Sequence, residues 1–199
     1  MKSLVLASSN PGKKAEIEQL LAPFGTRVVT QDELGITEAE EPHDSFRENA
    51  LAKARHACIA TRLPALADDS GLCVDALGGA PGVHSAYYAG REGSRAERDA
   101  RNNEKLLSEM KEENNRSAHY VCVMVLMRGP GDTAPLVAEA EWHGEIARAP
   151  RGAGGFGYDP YFYLPELGRT AAELAPEDKN RLSHRGQAMR KLLALLKGA

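Results

Sequence analysis

The chain has 199 residues, 42% of them hydrophobic and 27% charged, with a formal net charge of −3. That length suits one α/β domain over 1–199, whose core buries roughly 70% of the unfolded surface without a disulfide or metal staple. The near-neutral balance lacks the basic face that duplex nucleic acid needs, and no apolar run approaches a membrane span. In chain order, residues 4–7 read as a short buried strand broken by Asn10-Pro11-Gly12, a start too short for a secretory signal. Ile17, Leu20, Leu21 and Phe24 then keep the spacing of an amphipathic helix. Val28-Val29 suggests a second strand, and the acidic stretch 38–44 a loop.

Asp44 or Ser45 can cap a helix to about Thr61, with Ala50, Leu51, Ala54, Ala57 and Cys58 on its inner face. Residues 65–67 lead as a strand into Asp68-Asp69-Ser70-Gly71, and 72–74 continue extended before a turn-rich loop at 77–82. After the charged stretch 91–101 a helix is expected, with Leu106, Leu107 and Met110 inward. Residues 120–127 read as a strand buried on both faces, and 136–146 as one with a wet face. A glycine-rich loop at 152–157 precedes Tyr158-Asp159-Pro160, and the last helix carries Met189, Leu192, Leu193 and Leu196 on one side. Cys58, Cys73 and Cys122, far apart, odd in number and without a CxxC, fit a reducing cytoplasmic compartment.

Six segments can carry chemistry, each with a plainer reading beside it. Ser8-Ser9-Asn10-Pro11-Gly12-Lys13 opens a helix, where N–H groups, the dipole and a lysine attract phosphate, or it is only a turn. The run Glu38, Glu40, Glu41 is a solvated loop or offers a Mg²⁺ ligand. Asn49 and Lys53 share a helix face, from which Lys53 reaches solvent or a phosphate. Asp68 and Asp69 should lie at the carboxyl end of a strand, where α/β sheets bind ligands and paired carboxylates can hold a metal and activate water. Phe156 and Tyr158, among glycines, can stack on a flat base or form an aromatic hairpin. Ser183 suits a helix cap, whereas His184 and Arg185 oppose the dipole behind it, which points to another use.

Together these segments resemble the inosine triphosphate pyrophosphatase family, collinearly from Ser8 to Arg185. The motifs are S-x-N-x-x-K (8–13), F-x-E-N-A-x-x-K-A (46–54), A-D-D-S-G-L (67–72), L-G-G-x-P-G (77–82), D-x-x-N-x-x-K-L-L (99–107), G-F-G-Y-D-P (155–160) and S-H-R (183–185). The resemblance implies an elongated two-lobed α/β fold with a long mixed sheet, a substrate cleft between the lobes, and a homodimer. It implies Mg²⁺-dependent hydrolysis of ITP, dITP or XTP to the monophosphate and pyrophosphate. By position, Ser8, Ser9, Asn10, Pro11, Gly12, Lys13 and Lys53 would hold the phosphates. Asp69 would be the general base and share the metal with Glu40, preferred over Glu41. Ser70, Phe156, Gly157, Tyr158, Asp159, Lys179, His184 and Arg185 would bind the nucleoside.

Donors on His184 or Arg185 would pair with the 6-oxo group of hypoxanthine and be left unpaired by adenine, a mismatch worth up to about 10⁴–10⁵-fold in discrimination. Four arginines (Arg91, Arg95, Arg98, Arg101) exceed the family pattern. They read as solvated helix surface, or as serving a dimer or substrate entry. A pyrophosphatase for modified pyrimidines and a non-catalytic nucleotide sensor are the competing readings.

Overall fold

A computed structural model describes residues 3–198. Met1, Lys2 and Ala199, the ends of the expected 1–199 domain, lie outside the described residues. Strand β1 (Ser3–Leu6) feeds α1 (Pro11–Leu21), which starts where Asn10 accepts from Gly12 N and Lys13 N at 2.9 and 3.2 Å. Pro11 opens the helix, where a missing N–H is harmless. Next come β2 (Arg27–Thr30), α2 (Phe46–Thr61) behind the Ser45 cap, and β3 (Ala65–Val74). The chain continues through α3 (Arg95–Glu109), β4 (Ser117–Met127) and β5 (Leu136–Ile146). Two short strands, β6 (Phe162–Leu164) and β7 (Arg169–Thr170), precede α4 (Pro176–Leu182) and α5 (His184–Gly198).

The seven strands form one mixed sheet in the order β2-β1-β3-β4-β5-β6-β7. Strand β1 pairs in parallel with β2 and β3, while β6 pairs antiparallel with β5 and β7. The chain thus leaves β1 for one neighbour through α1 and returns to its other side through α2. Such a reversal opens a crevice at the carboxyl end of the strand.

Three elements differ from expectation. Asp68 to Gly71 do not end a strand but lie inside β3. They still pass the end of β1, because Leu6, its last residue, is in register with Leu66. The stretch 91–101 does not precede its helix; α3 begins at Arg95. And 155–160 is a chain of turns rather than a hairpin, followed by an unforeseen short helix, α4.

The chain divides into two compact units. The first holds the chain through Asp69, Cys122–Ala140 and the segment from His184; the second holds Ser70–Val121 and Glu141–Ser183. Leu6, Ile17, Leu66, Met124 and Met189 centre the core of the first. Leu72, Leu106, Ile146 and the Tyr120–Phe162–Trp142 rings centre that of the second, with Phe162 4.6 and 5.2 Å from its two ring neighbours. The burial of β4 through Tyr120–Met127 and the alternation along β5 follow the sequence pattern.

Candidate active site

In the first unit, β3 carries two carboxylates with different partners. Asp68 is fully buried: its Oδ1 lies 2.7 Å from Lys13 Nζ, and its Oδ2 accepts from Arg185 Nε at 3.0 Å. Arg185 also pairs with Glu16 of α1, and the Cys122 thiol donates to Asp68 Oδ2 at 3.7 Å. Burial alone would push the Asp68 carboxyl up, but Arg185 and Lys13 overcome it and hold the group far below the usual carboxylate range. Asp68 is therefore a permanent anion whose work is to bind cations.

Asp69 is placed differently. Its Oδ1 accepts from Lys53 Nζ at 2.7 Å, and the same ammonium reaches Glu41 Oε1 at 2.9 Å. Its buried Oδ2 has no hydrogen-bond partner among the described residues. Burial raises the Asp69 pKa, against the pull of Lys53 and Lys13. Lys53 stays firmly charged, because Asp69 and Glu41 outweigh its burial. A buried carboxylate with one oxygen held and the other unpartnered suits a general base or metal ligand.

The acidic loop is fixed by α2. Asn49, fully buried, accepts from His43 N at 3.1 Å and donates to His43 O at 2.9 Å. That clamp brings Glu41 to Lys53, while Glu38 accepts from the Ser9 hydroxyl; Glu40 and Glu41 are both exposed. Glu41 is thus the glutamate of this loop that Lys53 ties to Asp69, and Glu40, preferred on the resemblance, stands next to it in the same loop. Among the described residues no group of three or more His, Cys, Asp or Glu side chains is arranged as a preformed metal cage. Magnesium needs none, since one or two carboxylates complete its shell with water and phosphate oxygens. Glu16, Glu41, Asp68 and Asp69 are paired with Lys13, Lys53 and Arg185. A triphosphate bound to that cluster requires added positive charge, so the residues fit a divalent cation.

The phosphate loop is partly committed as well. Asn10 satisfies the Gly12 and Lys13 N–H groups expected to hold phosphate, and Ser8 Oγ accepts from Asn10 N at 3.2 Å. What this segment can offer an anion is Lys13 and the Ser8 hydroxyl, the Ser9 hydroxyl being given to Glu38. Arg185, only 2% exposed, places its guanidinium on Asp68 and Glu16. His184 beside it is buried too.

In the second unit, the Gly155–Gly157 turn wraps around Asp159. Asp159 Oδ2 accepts from Phe156 N at 2.8 Å and from Lys179 Nζ at 2.6 Å, so close to Gly155 that a Cβ there would collide. The Lys179 ammonium also lies 4.7 Å from the Phe156 ring centroid. Buried Tyr158 donates to Ser85 O at 2.8 Å. Ser70 is half-buried in β3.

Sequence reading missed the residues that hold these groups: Glu16 under Arg185, and Asp99 and Asn103 of α3. Asp99 Oδ2 accepts from Gly157 N at 3.2 Å, and Asn103 Nδ2 donates to Gly157 O at 3.0 Å. Asp99 was visible within the 99–107 motif, and polar residues facing inward on α3 were the signal.

A model of the Ham1 family matches residues 4–195. The dITP/XTP pyrophosphatase of Nitrosomonas europaea is 59% identical over 98% of this chain and 95% of its own length. That of Ralstonia nicotianae is 58% identical over 99% and 98%. Among solved structures, a HAM1 protein from Coxiella burnetii superposes with a TM-score of 0.88 at 48% identity, covering 100% of both chains. The Ham1 protein of Staphylococcus aureus gives 0.84 at 39% identity, covering 99% of each.

Proposed function

This chain belongs to the Ham1 family, and we infer that it hydrolyses non-standard purine nucleoside triphosphates, ITP, dITP and XTP, to the monophosphate and pyrophosphate. The observation that carries the reading is Asp69, with one carboxylate oxygen held by Lys53 and the other buried without a partner. In this reading Asp69 Oδ2 takes the proton of a water aimed at the α-phosphorus. Lys53 holds the other oxygen, keeping the carboxylate oriented. Lys13 and Lys53 receive the β- and γ-phosphates, with the Ser8 hydroxyl beside them. An ammonium has three donors, and Lys53 uses two of them on carboxylates.

Asp69 and Glu41 would hold Mg²⁺, which supplies charge neutralisation for a pyrophosphate leaving group. Asp68, locked between Lys13 and Arg185, fixes the backbone beside the base. Phe156, Lys179 and His184 are assigned to the nucleoside on the resemblance, with His184 as the donor to the 6-oxo group. A homodimer, a cytoplasmic location and the absence of a nucleic-acid partner belong to the same proposal. Among the described residues no helix is long and apolar enough to cross a membrane.

The test is pyrophosphate release from equal concentrations of ITP, GTP and ATP with Mg²⁺ at mildly alkaline pH, by the wild-type chain and by Asp69→Asn. ITP is expected to be consumed fastest, and Asp69→Asn to lower kcat by roughly 10²-fold or more. Near-normal turnover by that variant removes Asp69 as the base. Tight ITP binding without release makes the chain a sensor.

A further inference from the structure

The reaction proposed above uses none of the four arginines in 91–101, yet one of them lies against a residue assigned to the nucleoside. Ser94 and Glu97 form a reciprocal capping box, which puts Arg95 in the first turn of α3. The helix dipole disfavours a cation there. Asp99, one turn on, is the counterion, 3.8 Å from Arg95 Nε. The Arg95 guanidinium lies over the Phe156 ring, 5.3 Å from its centroid. The other three are engaged elsewhere: Arg91 and Arg98 lie over Tyr87, and Arg101 donates to the Glu92 carbonyl.

The glycine-rich turn has hydrogen bonds of its own that do not involve Arg95, although Asp99 Oδ2 serves both. Asp99 and Asn103 hold Gly157 by its N–H and C=O, and Asp159 holds Phe156 N. Arg95 is a half-exposed planar cation, tied by one long ion pair, that already covers an aromatic face.

We propose that Arg95 is a substrate-contacting residue whose guanidinium stacks on the purine of the bound nucleotide. A base laid on Phe156 is a flat π-system like the ring Arg95 now covers, and guanidinium planes stack on bases as they do on aromatic side chains. Every base offers a π-face, so the contact tightens binding without choosing among purines. The inference rests on the assignment of Phe156 to the nucleoside.

Steady-state pyrophosphate release from ITP and GTP is compared for wild type, Arg95→Ala, Arg95→Lys and Arg98→Ala, with IMP affinity by calorimetry and Tm for each. Arg95→Ala is expected to raise KM for both substrates, and the IMP dissociation constant, by roughly three- to thirty-fold. Loss of uniform binding leaves kcat within about twofold. Arg95→Lys keeps the charge without the plane and recovers part of the loss, while Arg98→Ala matches wild type. A structural Arg95 would instead lower Tm and move kcat together with KM. Wild-type KM and IMP affinity in Arg95→Ala overturn the proposal, and so does a changed ITP/GTP preference at unchanged affinity. A wild-type chain that releases pyrophosphate from no purine triphosphate overturns the reaction itself, and the IMP titration still decides whether Arg95 contacts a purine.

Discussion

Asp68 and Asp69 are adjacent on β3, yet their partners give them opposite work. Asp68 is enclosed by Arg185 and Lys13, with Arg185 shared by Glu16. Removing one member of a fully buried ion pair strands the other charge, which typically costs about 3–5 kcal/mol. Arg185→Met should therefore lower thermal stability by roughly 10 °C for a chain of this size, read by circular dichroism. Adding Asp68→Asn should restore part of it, because the stranded carboxylate is then neutral. A Tm for Arg185→Met near wild type would mean that water reaches Asp68 and the pair is not buried. The sequence showed that His184 and Arg185 sit badly for the helix dipole. It did not show the cure, because Arg185 and Asp68 are 117 positions apart and no local pattern pairs them.

At the scale of elements, the site depends on α2 gripping the loop before it. Asn49 holds both backbone polar groups of His43, two residues after Glu41, and Lys53 one turn later receives Glu41 and Asp69. Asn49→Ala should leave α2 intact, since Ser45 still caps it, but release the loop that carries Glu41. Groups that orient metal ligands typically contribute 10–100-fold to metal affinity. The Mg²⁺ concentration for half-maximal pyrophosphate release should thus rise by roughly tenfold or more in Asn49→Ala. An unchanged Mg²⁺ titration would remove Glu41 from the metal. Spacing placed Asn49 and Lys53 on one helix face, but a loop without periodicity could not reveal which glutamate that face selects. Strand β3 has a similar history. Asp-Asp-Ser-Gly reads locally as a turn, but it lies extended within a strand that sits between β1 and β4 in the sheet, a tertiary override of local preference.

Over the whole chain, seven individually weak motifs in a fixed order made the family legible, while the core was legible from periodicity alone. The cysteines test that core. Cys58 and Cys122 are fully buried in the first unit, and Cys73 is buried in the second; all three are free. Burial pushes all three thiols up, Cys73 to about 11 with help from Glu141 and Asp75, and Cys122 well above its usual value. An ordinary thiol near 8.5 is roughly a quarter thiolate at pH 8, whereas one at about 11 is roughly one part in a thousand. The sign is the same for each: a raised pKa removes the reactive form and burial removes access to it. Iodoacetamide at pH 8 should therefore add nothing to the native protein within the time needed to modify all three thiols in denaturant, as read by mass spectrometry. Because labelling then requires opening, its rate in increasing urea should follow the loss of structure seen by circular dichroism. Fast native labelling of Cys73 alone would show that the second unit opens locally around β3. Fast labelling of Cys122 would show that the floor beneath Asp68 is open to solvent, and the argument for a dry ion cluster there would fail with it.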